Sequence, residues 1–148
     1  MPTYNVTTVN LMLTEDQKSE VAMAITTAHN KSTGAPGFFA QVIFHDVANG
    51  QHFIGGKLND VSHIFVHGLI RAGRTTGAKS GLMAQIRDSV VKISGSSEED
   101  IWVYVQDIEA EQMIEFGRFL PAPGEEDAWK KEISDKKRDE FARAGVVI

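Results

Sequence analysis

The chain has 148 residues, 42% of them hydrophobic, with a net charge of −5 and no cysteine. That length suits one domain with a real core, and an acidic balance without a basic stripe argues against a nucleic-acid partner. The missing cysteines exclude a disulfide scaffold, a thiolate zinc site and a cysteine nucleophile, and fit a cytoplasmic, reducing setting. The polar stretch 1–13 lacks the apolar region of a signal peptide, and no apolar run approaches the roughly 18 residues of a membrane span.

In chain order, Thr3 to Leu13 reads as a strand with Tyr4, Val6 and Val9 among its apolar or aromatic members. Thr14-Glu15-Asp16-Gln17 has the form of a capping box, a hydroxyl followed three residues later by Gln. The helix it opens carries Val21, Ala24, Ile25 and Ala28 on one face, with His29 at its end; Ser32 to Gly37 stops it. Phe38 to Val47 is a second strand. Asn49-Gly50 then signals a tight turn, with Gln51 to Ile54 returning as a short hairpin strand and Gly55 to Asp60 as a loop.

Val61 to Arg71 is a third strand, alternating Ile64, Val66, Gly68, Ile70 against Phe65, His67, Leu69, Arg71. Thr75 or Thr76 caps a second helix that places Met83, Ile86, Val90 and Ile93 on one side and stops at Gly95. Ile101 to Ile108 is a fourth strand. A short segment from Gln112 to Leu120 precedes Pro121 and Pro123, and Gly124 to Ala144 reads as one last helix.

Strand–helix–strand thus occurs twice, and four pairs share one shift of 61: Lys18 with Lys79, Val42 with Val103, Ile43 with Tyr104, Asp46 with Asp107. The expected fold is α/β, a duplicated βαβ in one domain spanning 1–148. Its halves are 1–60 and 61–110, followed by a C-terminal hairpin and helix over 111–148. Each half holds parallel strands, giving a four-stranded mixed sheet with both main helices on one face. The bare face, with its aromatic and branched residues, calls for oligomerisation.

Several groups can do chemistry. Without Met1, Pro2 would end the chain as a secondary amine, able to act as acid or base near neutral pH; taken alone it reads equally as the start of an edge strand. Arg71 and Arg74, with Gly73 between them, can converge on an anion or stand solvated in a loop. Tyr104 sits in an apolar strand, as a core tyrosine also would. Glu115 in IEFGR lies among aromatics, where a raised pKa would suit a base acting on water; an exposed hairpin glutamate is the plainer reading. His29 is a donor or a helix cap. The histidines show no metal spacing, and no Ser/His/Asp, phosphate-loop or dinucleotide signature is present.

Together, Pro after Met, the doubled βαβ, AITTAHN, FVHGLIRAGR, WVYV and EFGRFLPAPGEE resemble the tautomerase superfamily, in particular its cis-3-chloroacrylic acid dehalogenase group. The resemblance runs from Pro2 to about Trp129. It implies that Pro2 is the catalytic group, that Arg71, Arg74 and His29 bind the substrate carboxylate, and that Tyr104 and Glu115 together handle water. It also implies a homotrimer with no metal or cofactor and a small carboxylic acid as substrate. Two departures stand out. Gly34-Ala35-Pro36 replaces a loop carrying a substrate-facing threonine, and Phe39 stands where a leucine is usual. At Ala35 and Phe39 these changes point away from efficient dehalogenation and towards mixed hydratase and tautomerase activity. Three functions follow: a hydratase or dehalogenase with Pro2 as acid, a keto–enol tautomerase of arylpyruvate or dienol acids with Pro2 as base, or a non-catalytic oligomeric interaction protein.

Overall fold

A computed structural model describes residues 2–34, 40–122, 124–146 and 148. The main sheet joins β1 (Thr3–Val9), β2 (Gln41–Val47), β5 (His63–Arg71) and β6 (Ile101–Ile108) in the order β2-β1-β5-β6. β1 runs parallel to β2, β5 runs parallel to β6, and the two pairs meet antiparallel along β1 and β5. Helices α1 (Glu15–Thr33) and α2 (Thr76–Ser94) make the two crossovers.

Local chemistry sets the helix ends. Thr14 accepts from the Gln17 amide and Gln17 returns the bond to the Thr14 amide, which completes the capping box; Thr75 caps α2 through the Ala78 amide. Gly34 and Gly95 close the helices in the left-handed conformation, at φ 70° and 74°. Both caps and both stops stand 61 residues apart, and the repeat extends to side chains: Lys18 pairs with Asp46 at 3.7 Å and Lys79 with Asp107 at 2.7 Å. The core lies between sheet and helices. Tyr4, Val6, Ile64, Val66 and Ile70 from the strands meet Val21, Ile25, Leu82, Ile86 and Val90, all fully or almost fully buried. Each such aliphatic contributes about 1.5–3 kcal/mol on burial.

Among the described residues, α1 and α2 both pack on this core face and leave the other face of the sheet open. Its rows run across all four strands: Ile43, Asn5, His67 and Tyr104 in one, His45, Thr7, Phe65 and Trp102 in the next. Trp102 and Tyr104 are exposed there, at 44% and 55%.

Several boundaries differ from those expected. β1 stops at Val9, not Leu13, because Asn10 turns the chain at φ 51° and spends its amide on the Asn59 and Val61 carbonyls. That capture of Val61 also delays β5 to His63. β2 begins at Gln41, and the expected start at Phe38 lies outside the described residues. The hairpin does not form at Asn49-Gly50. Instead β3 (Phe53–Ile54) pairs with β4 (Lys57–Leu58), inside the expected loop, through Gly55-Gly56 at φ 57° and 75°. Two consecutive positive-φ residues match strand twist, which favours Gly-Gly there. On α2 the buried position is Leu82, with Met83 only half-buried.

The last helix is broken into α3 (Glu126–Lys131) and α4 (Asp135–Arg143). Ser134 caps α4 through the Lys137 amide, and the break lets Ile133 turn inward to Leu120 and Trp129. This second small core also packs Met113 and Phe116 from the hairpin β7 (Ile114–Glu115) and β8 (Arg118–Phe119) and the turn before it.

Candidate active site

The charged groups gather where β1 begins and β5 ends. Pro2 is buried, and its carbonyl accepts the Gln41 amide at 2.9 Å, which ties the chain start to β2. His29, near the end of α1, is only 5% exposed. The Tyr4 hydroxyl lies 2.8 Å from its Nδ1. Burial holds the His29 pKa down to about 4, helped by the positive charges of Arg74 and the amino terminus. At neutral pH the ring is therefore uncharged.

Arg71 ends β5. Its Nη1 donates to the Pro121 carbonyl at 2.8 Å, and its Nη2 forms a close ion pair with Glu126. Gly73, at φ 101°, turns the chain so that Arg74 follows into the same region. Burial lowers the Arg74 pKa first, then the neighbouring Arg71 charge, with Glu126 opposing. Burial pushes Glu126 upward, yet Arg71 together with the Glu126 and Gly124 backbone amides outweighs it and holds the carboxyl below its ordinary value.

Glu115 is half-buried on β7. Burial raises its pKa, and the positive charge of the chain's amino terminus pulls the other way. Phe116 beside it takes a left-handed φ of 51°, which strains a non-glycine residue by about 1–2 kcal/mol. Edge contacts with Trp129 at 5.7 Å and Phe141 at 5.6 Å hold it there. The hairpin that presents Glu115 is thus anchored on the second core.

The fold brings His29, Arg71, Arg74, Glu115 and the chain start into one field of charges. It leaves Tyr104 elsewhere in the protomer, on the open face with its edge to Phe65 at 5.0 Å and with His67 as strand partner. Tyr104 is not a core residue. Ala35 and Phe39 lie outside the described residues. Two site neighbours were not singled out from sequence. Tyr4 reads there only as a strand member, although a phenol on the inward face of a strand needs a hydrogen-bond partner. Glu126 reads as a first-turn acid suiting the helix dipole, and nothing local signals its reach to Arg71. Among the described residues no three His, Asp or Glu side chains gather as a metal would need, and no helix is long and apolar enough to cross a membrane.

The arrangement can grip an anion with guanidinium donors and a neutral imidazole, beside a carboxyl of raised pKa and an amino terminus. Residues 1–134 match the family described as "Putative oxalocrotonate tautomerase enzyme". The crystal structure of N1, a member of the cis-3-chloroacrylic acid dehalogenase family, is 32% identical, with a TM-score of 0.84 over 95% of this chain and 99% of that one. Native Ps01740 is 30% identical, with a TM-score of 0.71 over 76% and 99%. A fused 4-OT described as a symmetric trimer shares the fold at 24% identity, with a TM-score of 0.68 over 75% and 89%. A search of curated proteins finds no match. With the family match spanning nearly the whole chain, this protein belongs to the tautomerase superfamily, in its cis-3-chloroacrylic acid dehalogenase-like group.

Proposed function

We propose that the chain is an enzyme acting on small unsaturated carboxylic acids, adding water across a carbon–carbon double bond. The observation that carries this is the shared field at the chain start. His29 feels Arg74 and the charge of the amino terminus, and Glu115 feels that same charge; the free amine belongs to Met1 in the 148-residue chain and passes to Pro2 once Met1 is removed. Arg74, Arg71 and His29 hold the substrate carboxylate. Arg71 does so with the donors left over from Pro121 and Glu126, so Arg74 makes the freer grip. The cations draw electron density from C-3. Glu115, its pKa raised by burial, accepts a proton from water as the oxygen bonds to C-3, and Pro2, freed by removal of Met1, delivers a proton to C-2. With a 3-haloacrylate, the halohydrin loses HX and leaves malonic semialdehyde. Gly34-Ala35-Pro36 and Phe39 set this chain apart from efficient dehalogenases, so halide release is one outcome of the site and not its measure.

The protein works as a homotrimer of single domains, each spanning 1–148. The open face, with Phe65, Leu69, Trp102 and Tyr104, is the surface that assembly covers. Tyr104 would then act on water beside Glu115 only across an interface, since it stands apart in its own protomer.

The family match favours one rival, in which neutral Pro2 is a base that moves a proton in a keto–enol substrate. A pH–rate profile of kcat/KM separates the two. If activity falls as the amine deprotonates, Pro2 is the acid; if it falls as the amine protonates, the tautomerase reading holds.

A further inference from the structure

Tyr4 and Gly68 stand opposite each other in the β1–β5 ladder. The Tyr4 ring, fully buried, lies over Gly68. A Cβ at that position would fall 2.5 Å from Tyr4 Cε1 and 2.8 Å from Cδ1, closer than any side chain tolerates. The ring is fully buried, so an added Cβ there would have to displace it. Glycine is therefore what seats this tyrosine. So seated, the ring meets His29 edge-on, at 5.9 Å between centroids and 72° between planes, with its hydroxyl 2.8 Å from Nδ1.

That contact leaves two proton arrangements: Tyr4 donates to Nδ1, or Nδ1–H donates to Tyr4. Burial raises the Tyr4 pKa, so the hydroxyl keeps its proton in either case. A buried O–H needs an acceptor. Among the described residues Nδ1 is the partner this hydroxyl has. If Nδ1 carried a proton, either two hydrogens would face each other across 2.8 Å, or the oxygen would accept from Nδ1 and the buried hydroxyl hydrogen would turn away from this acceptor. A doubly protonated ring is opposed first by burial, then by the charges of Arg74 and the amino terminus.

We propose that Tyr4, seated by Gly68, is a positioning residue that holds His29 as a neutral imidazole with its proton on Nε2. His29 then serves the site as a hydrogen-bond donor to a carboxylate oxygen. It cannot serve as a base, because neither nitrogen keeps a free lone pair. Proton transfer falls to Pro2 and Glu115. The role in catalysis rests on the function proposed above, but the proton placement does not.

The test is 15N NMR of the imidazole nitrogens in the full-length protein at neutral pH. The expected spectrum has His29 Nδ1 in the unprotonated range and Nε2 in the protonated range. Tyr4→Phe, which keeps the ring, shifts population to the Nδ1–H tautomer while circular dichroism stays native. Gly68→Ala moves it the same way if Tyr4→Phe folds poorly. A protonated Nδ1 in the unmodified protein, or a tautomer indifferent to both variants, overturns the proposal. Turnover adds a second arm: loss of one aligned donor raises KM about fivefold to tenfold with kcat changed less. If the tautomer is as expected and acetate titration shifts neither Nε2 nor the Arg74 side-chain signals, the carboxylate reading of the site fails while the proton placement stands. Arg74 shifting without Nε2 overturns the donor role.

Discussion

His29 carries its charge state into the stability of the fold. Its pKa is near 6.5 when unfolded and about 4 when folded. As pH falls below 6.5 the unfolded chain takes up a proton that the native ring refuses, so stability is lost between those values and levels off below. The difference amounts to roughly 3 kcal/mol. Urea unfolding at pH 7 and pH 4 should show that loss, and His29→Gln should remove most of it. Glu115 acts with the opposite sign. Its raised pKa penalises the folded state above its titration, and acid relieves this. Repeating the series in Glu115→Gln therefore steepens the acid loss. A slope unchanged by His29→Gln would mean that the ring titrates alike in the folded and unfolded chain. At this scale the sequence shows the residues that bear charge and hides those that set it. His29, Arg71, Arg74 and Glu115 stand out as polar groups in apolar or loop settings. Tyr4 and Glu126 do not, because their partners lie 25 and 55 positions away.

The elements explain how loops reach the site. Strands and helices carry periodic signals, and Ile101–Ile108 forms as its alternation predicts. Where two turn signals competed, Asn49-Gly50 against Gly55-Gly56, local chemistry could not rank them. Asn49-Gly50 does turn, with the Gln51 amide on the Ala48 carbonyl at 3.2 Å, but the chain then leaves β2. Likewise a helical pattern over Gly124 to Ala144 hides a break that only the burial of Ile133 requires. The most consequential link is Glu126, which joins α3 to the end of β5 and also accepts the Gly124 amide. Glu126→Gln leaves Arg71, with its side chain 11% exposed, short of its counter-charge. The expected loss is about 2 kcal/mol in chemical denaturation. A loosened Arg71 should also alter KM for the acid substrate more than kcat. Equal stability and unchanged KM would show that the ion pair does no positioning.

For the whole molecule, the duplication is legible in the sequence as a shift of 61. The fold gives two of those pairs the same role in each half: Lys18–Asp46 and Lys79–Asp107 pin each helix to the strand that follows it. The open sheet face was equally legible, because Phe65 and Trp102 alternate with core residues. In the proposed assembly, what covers it belongs to a neighbouring copy of the chain. Trp102→Glu places a charge on a face that assembly would bury, so sedimentation should show a trimer for the unmodified protein and smaller species for the variant. A stable monomer without the substitution would remove the proposed assembly, and with it the contribution of Tyr104.

In the proposed reaction a free amino-terminal proline does the chemistry. The direct measurement is turnover of cis-3-chloroacrylate and related unsaturated acids by the unmodified protein and by Pro2→Ala, both shown by intact mass to lack Met1. The account predicts turnover in the first and a loss of about 100-fold or more in the second, the usual contribution of a general acid. Equal turnover by the two proteins would contradict it.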